Sequence, residues 1–193
     1  MTQTNLVRII ACLEANKHIY SYTQADIDEI KAAFDEYTKV ADLFKEALVE
    51  ATENVHFYTD GACSSNPGPG GWAFAEVSPH FNTEEGIISS KSGFVDNTTN
   101  NQMELQAILM AISLYSGNAK IVHIYTDSKN AIGWLSGGWK RNNPNIKGLC
   151  ESIEKITRQK GLTLKFEYVE GHSSSFFNNF VDELAVKEYK NRQ

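Results

Sequence analysis

The sequence predicts an α/β fold preceded by a helical segment, and three observations carry that expectation. Residues 1 to about 52 read as helix, with one turn candidate near His18–Tyr22. From Val55 onward the pattern switches to alternating strands and helices, as in an α/β domain. Four acids, Asp60, Glu104, Asp127 and Asp182, stand at the ends of two of those strands and inside two of those helices.

In the N-terminal segment, Ile27, Ile30, Phe34, Tyr37, Ala41, Phe44 and Leu48 recur at alternating spacings of three and four. Such a stripe is a seam for another helix, and Thr23 with Asp26 forms a capping box at its start. Leu6, Ile9, Ile10 and Leu13 supply the partner stripe of a helical hairpin. The same stripe also suits self-association or a protein partner. Strands are expected at 55–60, 72–78 and 86–95, the three forming an antiparallel meander. Between the first two, Asn66-Pro67-Gly68-Pro69-Gly70-Gly71 is too broken for a regular element, so residues 61–71 are expected to be a loop of fixed shape. A helix at 100–116, a strand at 120–126, helices near 128–135 and 145–160, a strand at 162–169 and a helix at 176–190 complete the chain. The expected division is a helical extension over 1–53 and a catalytic domain over 54–193.

The 193 residues are 41% hydrophobic and 22% charged, enough for one good core and a smaller appendage. No apolar run is long enough to span a membrane and the first residues lack a signal core, so a cytoplasmic protein is expected. Cys12, Cys63 and Cys150 are scattered and odd in number, which argues against a disulfide framework or a zinc site. The net charge of -6 argues at first against a nucleic-acid partner. Its distribution reverses that reading. Residues 1–54 hold 5 Lys/Arg against 10 Asp/Glu, while residues 55–193 hold 13 against 14, and Lys120 to Lys165 contains nine basic residues against three acids. A local basic face is open to the second part.

Asp60 ends the run Val55–Asp60 and Asp127 the run Ile121–Asp127, while Glu104 and Asp182 sit early in helical stretches. Four carboxylates brought to one point repel and raise one another's pKa values unless a cation lies among them. Oxygen-only ligands suit Mg²⁺, with Mn²⁺ as an alternative, rather than zinc. Two such ions about 4 Å apart serve in-line displacement at a phosphodiester.

The surrounding residues resemble type 1 ribonucleases H. Tyr58-Thr59-Asp60-Gly61-Ala62-Cys63 followed by Asn66-Pro67-Gly68-Pro69-Gly70-Gly71-Trp72 resembles the family's first strand and loop. Thr98-Thr99-Asn100-Asn101-Gln102-Met103-Glu104-Leu105 is similar to its second motif and Tyr125-Thr126-Asp127-Ser128 to its third. Gly171-His172, then Asn178 and Asp182-Glu183-Leu184-Ala185, are similar to its last. The four motifs keep the family's order across most of residues 55–190. The resemblance implies a ribonuclease H-like fold: a five-stranded mixed sheet, three strands antiparallel and two parallel, flanked by helices.

It further implies hydrolysis of the RNA strand of RNA/DNA hybrids, leaving 5′-phosphate and 3′-hydroxyl ends, with two Mg²⁺ ions. Asp60 would bridge the ions, Glu104 and Asp127 would hold the one on the leaving-group side, and Asp182 the one beside the attacking water. His172 would assist proton transfer or product release. Cys63, Asn66, Asn101 and Lys129 would meet the RNA strand, whose 2′-hydroxyl is the local distinction from DNA. Thr99, Trp139 and Asn145 would meet the DNA strand. The segment Gly137–Pro144 is too short for the basic handle of some members, so a weaker grip on the hybrid is expected.

Overall fold

The computed structural model describes residues 23–171 and 174–192. The expected first helix of the hairpin, and the residue His172, lie outside that range. Two units are distinguished by their contacts, Met1–Glu50 and Ala51–Gln193.

In the first unit the described element is α1, which begins at Gln24 within a helix running to Glu53. Its start is capped as the sequence suggests. The Asp26 carboxylate accepts from the Thr23 backbone N–H at 2.7 Å, and the Thr23 hydroxyl accepts from the Asp26 N–H at 3.2 Å. Of the apolar stripe, Ile27 is buried and Phe34 half-buried, whereas Ile30 and Tyr37 are exposed; Ala41, Phe44 and Leu48 fall among side chains outside the description.

The second unit is built on one five-stranded sheet. Its strands are β1 (Asn54–Cys63), β2 (Gly68–Val77), β3 (Ile87–Thr98), β4 (Ile121–Thr126) and β5 (Thr163–Tyr168), in the spatial order β3-β2-β1-β4-β5. The β1–β2 and β2–β3 pairs are antiparallel, and the β1–β4 and β4–β5 pairs are parallel. The meander and the two parallel strands are therefore as expected. The helices are α2 (Asn100–Leu114), α3 (Lys129–Leu135), α4 (Pro144–Lys160) and α5 (Phe176–Lys190).

Strand periodicity sorts the side chains onto two faces. Val55, Phe57, Val122 and Ile124 join Leu105 and Ile108 of α2 and Ile153 of α4 in the larger core. Ala62, Ala73, Ala75 and Val77 meet Phe177, Val181 and Ala185 of α5 in the smaller one. The end of α2 is fixed by Lys160, whose ammonium donates to the carbonyls of Ile112, Ser113 and Tyr115 at 2.7–2.8 Å.

The expected loop over 61–71 is the main correction. β1 continues to Cys63 and β2 starts at Gly68, leaving only 64–67 between them. The glycines serve close approach rather than a turn. A Cβ on Gly61 would lie 2.2 Å from the Glu104 nitrogen, and one on Gly71 would lie 2.0 Å from the Ala185 carbonyl oxygen. Helices α2 and α5 thus cross the bare backbone of β1 and β2 from opposite sides. Pro69 is tolerated because the ladder with β3 shifts register between Gly68 and Gly70, where no donor is required of it.

Gly71→Ala should destabilise the protein by about 1–3 kcal/mol, since its methyl meets backbone that cannot yield. Gly148→Ala, inside α4 where an added methyl meets open space, should stabilise it by about 0.5–1 kcal/mol. Urea denaturation midpoints of the two variants check both signs.

Candidate active site

Each acid of the quartet is delivered by a different element. Asp60 lies near the end of β1, and Asp127 directly follows β4, the parallel neighbour of β1. Glu104 is on the second turn of α2, whose start is held by a complete capping box between Thr99 and Gln102. Asp182 is on α5, whose first turn is capped by Ser175. The crossings at Gly61 and Gly71 bring the two helices near enough for their acids to meet those of the strands.

One carboxylate oxygen from each of Asp60, Glu104 and Asp127 lies within 4.8 Å of the others. Asp182 joins them around a cavity of about 500 Å³, also lined by Asn100, Asn101, Lys129, Asn130 and Tyr168. Asp60 and Glu104 are buried, at 7% and 5% exposure, and Asp127 is partly open. Burial pushes the Asp60 carboxyl up to about 8, helped by the Asp127 and Asp182 charges. Burial likewise raises Glu104 well above the usual carboxylate range, with the Asp60 and Asp127 charges adding to it. The Gly61 N–H opposes both shifts by hydrogen bonding.

The donor set fits a divalent cation. All the acidic groups are hard oxygen ligands, and Glu104 Oε2 is buried with no hydrogen-bond partner among the described residues. A cation would satisfy that oxygen and relieve the repulsion that raises the pKa values.

The other residues expected at the site divide into three groups. Asn101 and Lys129 line the cavity itself; Asn101 Oδ1 accepts from Asn130 Nδ2 at 2.8 Å, and the Lys129 ammonium lies 4.8 Å from the centre of the Tyr168 ring. Cys63, Asn66 and Thr99 lie next to it. Asn66 Oδ1 accepts from the Asn100 backbone N–H at 2.7 Å, and the Cys63 thiol donates to Ser65 O at 2.6 Å. Trp139 and Asn145 are elsewhere. The exposed Trp139 ring covers Gly133 of α3, and Asn145 is an exposed residue of the first turn of α4, its N–H bound to Asn143 Oδ1.

Sequence reasoning missed Asn100, Asn130 and Tyr168. Asn100 sits one helical turn before Glu104 and donates toward its Oε1 at 3.5 Å, a spacing readable in advance. Tyr168 carries no such signal, because only the β4–β5 register, Thr126 opposite Tyr168, sets it beside Asp127.

A model of the RNase H family matches residues 52–190. The ribonuclease H of Caldicellulosiruptor saccharolyticus is 40% identical over 152 residues, covering 72% of this chain and 99% of that protein. That of Rhodopirellula baltica is 36% identical over 152 residues, covering 72% and 93%. Among solved structures, the N-terminal RNase H domain of a Mycobacterium tuberculosis protein superposes with a TM-score of 0.61 at 22% identity, covering 72% of this chain and 95% of that one. LC11-RNase H1, solved in complex with an RNA/DNA hybrid, gives 0.60 at 22% identity, covering 72% and 98%. These two likenesses establish the fold.

An acid whose pKa is raised by folding keeps its proton in the native state after the unfolded chain has lost it. Stability then falls as pH rises. With Asp60 at about 8 against an ordinary 3.8, the metal-free protein should lose stability between about pH 4 and pH 8. In chelator, Asp60→Asn should flatten that loss. At pH 8, a divalent cation at a hundredfold excess over its Kd should stabilise the unaltered protein by about 2.7 kcal/mol. Thermal melts across pH, with and without Mg²⁺, provide the measurement; a flat profile for the unaltered protein in chelator would refute the electrostatic picture.

Proposed function

The chain belongs to the ribonuclease H family, and we propose that it hydrolyses the RNA strand of RNA/DNA hybrids in a Mg²⁺-dependent reaction. The observation that carries this reading is the convergence of Asp60, Glu104, Asp127 and Asp182 on one cavity, in a chain whose sequence matches the family over residues 52–190. The hybrid in the LC11-RNase H1 complex supports that substrate class. A cytoplasmic site of action is part of the proposal.

Asp60, Glu104, Asp127 and Asp182 would hold two Mg²⁺ ions, which supply Lewis acidity at the phosphodiester and a water ionised near neutral pH. Asp60, whose carboxylate clusters with those of Glu104 and Asp127, would be the ligand shared between the ions. In-line attack by water on phosphorus, with departure of the 3′ oxygen, leaves 5′-phosphate and 3′-hydroxyl ends. Asn100 and Asn101 offer amide donors and acceptors at the cavity wall, within reach of a minor groove. An RNA 2′-hydroxyl finds hydrogen-bond partners there, whereas a deoxyribose leaves the amides unpaired, and that difference favours the hybrid. Asn66 ties the 64–67 connection to the start of α2 by accepting from the Asn100 backbone N–H. Thr99, Trp139 and Asn145 are proposed contacts of the DNA strand, and His172 is proposed to move a proton or release product. Residues 54–193 would form the catalytic domain and 1–53 an extension that engages a second copy or a protein partner.

Purified protein with Mg²⁺, offered matched RNA/DNA, RNA/RNA, DNA/DNA and single-stranded RNA, should cut only the hybrid. Asp127→Asn should lower the rate by about a hundredfold or more. Equal cutting of duplex DNA would instead indicate a DNA nuclease of the same fold, and hybrid binding without cleavage would indicate a scaffold. Deletion of residues 1–52 should leave the cleavage chemistry in place; loss of turnover in a folded, hybrid-binding fragment would contradict the proposed division of labour.

A further inference from the structure

We propose that Tyr168 is a positioning residue, which holds the Lys129 ammonium over the active-site cavity for contact with a backbone phosphate of the RNA strand. The proposal rests on the reading of the chain as a hybrid-cleaving enzyme. It begins from charge. Among the described residues lining the cavity, Lys129 is the one basic side chain, facing four carboxylates. A polyanionic substrate entering such a cavity meets repulsion from the acids, and among the described residues of the wall Lys129 is the one that offsets it.

The position of that ammonium is therefore consequential, and two anchors set it. Lys129 is the first residue of α3, immediately after the Ser128 cap, and its backbone N–H donates to Asp127 O at 3.2 Å. The base of the side chain is thus tied to the loop that carries an acid of the quartet. Its tip lies over the Tyr168 ring, 4.8 Å from the centroid. Tyr168 ends β5 and pairs in register with Thr126 of β4, so the ring stands on the sheet itself rather than on a loop.

A flexible four-carbon stem left free would sample both the carboxylates and the solvent. Held on the carboxylates it would compete with a metal ion for them; lost to solvent it would contact no substrate. The ring face prevents both. It attracts the ammonium through its quadrupole without occupying the N–H donors as a carboxylate would, so those donors stay available to a phosphate oxygen. Tyr168 is 49% exposed and belongs to neither core, so its role is separable from folding.

The test uses the full chain and four variants: Tyr168→Phe, Tyr168→Leu, Lys129→Gln and the Tyr168→Leu/Lys129→Gln double. Tyr168→Leu should raise KM for an RNA/DNA hybrid roughly two- to five-fold with kcat and melting temperature unchanged. Tyr168→Phe keeps the ring face and should behave as the unaltered protein. Lys129→Gln should raise KM further. In chelator, where no cleavage occurs, it should also reduce the dependence of log Kd for the hybrid on log salt by about 1. In the double variant, loss of the ring should add nothing to loss of the lysine. A Phe variant as weak as the Leu variant, a Leu variant indistinguishable from the unaltered protein, or additive effects in the double variant would overturn the role of Tyr168. An unaltered protein inert on hybrids would instead remove the functional reading on which the proposal stands.

Discussion

The site depends on close contact between helix and bare backbone at the middle of the sheet. Where α2 crosses β1, the space for a side chain at Gly61 is taken by Met103 and Glu104, and where α5 crosses β2, that at Gly71 is taken by Ala185 and Glu188. Small residues widen this arrangement along the α5 face, where Ala62, Ala73, Ala75 and Ala185 are all buried. A helix packed through large side chains stands farther from a sheet than one laid on bare glycine backbone. A carboxylate on such a helix would fall short of one on the strand. The absence of Cβ atoms at two points is what allows Glu104 and Asp182 to reach Asp60 from opposite faces.

Convergence of that kind opposes folding electrostatically. Two buried acids with raised pKa values, and two more beside them, contribute repulsion that the remaining structure offsets. The offsets are placed at the element ends that aim the acids. Thr99 and Gln102 close the start of α2, Lys160 closes its end, Ser128 caps α3 and Ser175 caps α5. Each terminus adjoining the cavity is therefore fixed by side-chain hydrogen bonds, so repulsion cannot relax by fraying the helices. A cation with the right charge would convert the stored repulsion into binding energy, which is why the same cluster both weakens the apo fold and selects a divalent ligand.

What could be read from the sequence follows how local the cause is. The Thr23–Asp26 box and the strand that stops just before Asp127 arise from neighbours within four residues, and they were legible for that reason. The glycine-rich stretch was misread in extent because its cause is remote. Gly70 and Gly71 signal a loop when considered alone, yet each is strand backbone accommodating a helix that begins 30 or more residues later. Tyr168 belongs to the same class, invisible until β5 is laid against β4. Trp139 and Asn145, assigned to the DNA strand by resemblance alone, stand on the connection beyond α3 and at the head of α4.

Charge is where counting residues and locating them differ most. Nine basic residues between Lys120 and Lys165 leave a local basic face open. Several are occupied within the fold. Lys160 is turned onto three carbonyls, Arg141 binds the Trp134 carbonyl and the Glu154 carboxylate, and Lys147 lies 3.8 Å from Glu151. Lys160 and Arg141 hold the end of α2 and the connection beyond α3, and cannot also neutralise phosphates without releasing what they hold, whereas the exposed Lys147–Glu151 pair is weak. A hybrid would therefore be gripped by fewer cations than the composition suggests, at a cavity that is itself acidic until cations fill it. Under those conditions the location of a single ammonium matters as well as the total, and a cation that neutralised the quartet would remove repulsion against an incoming phosphate.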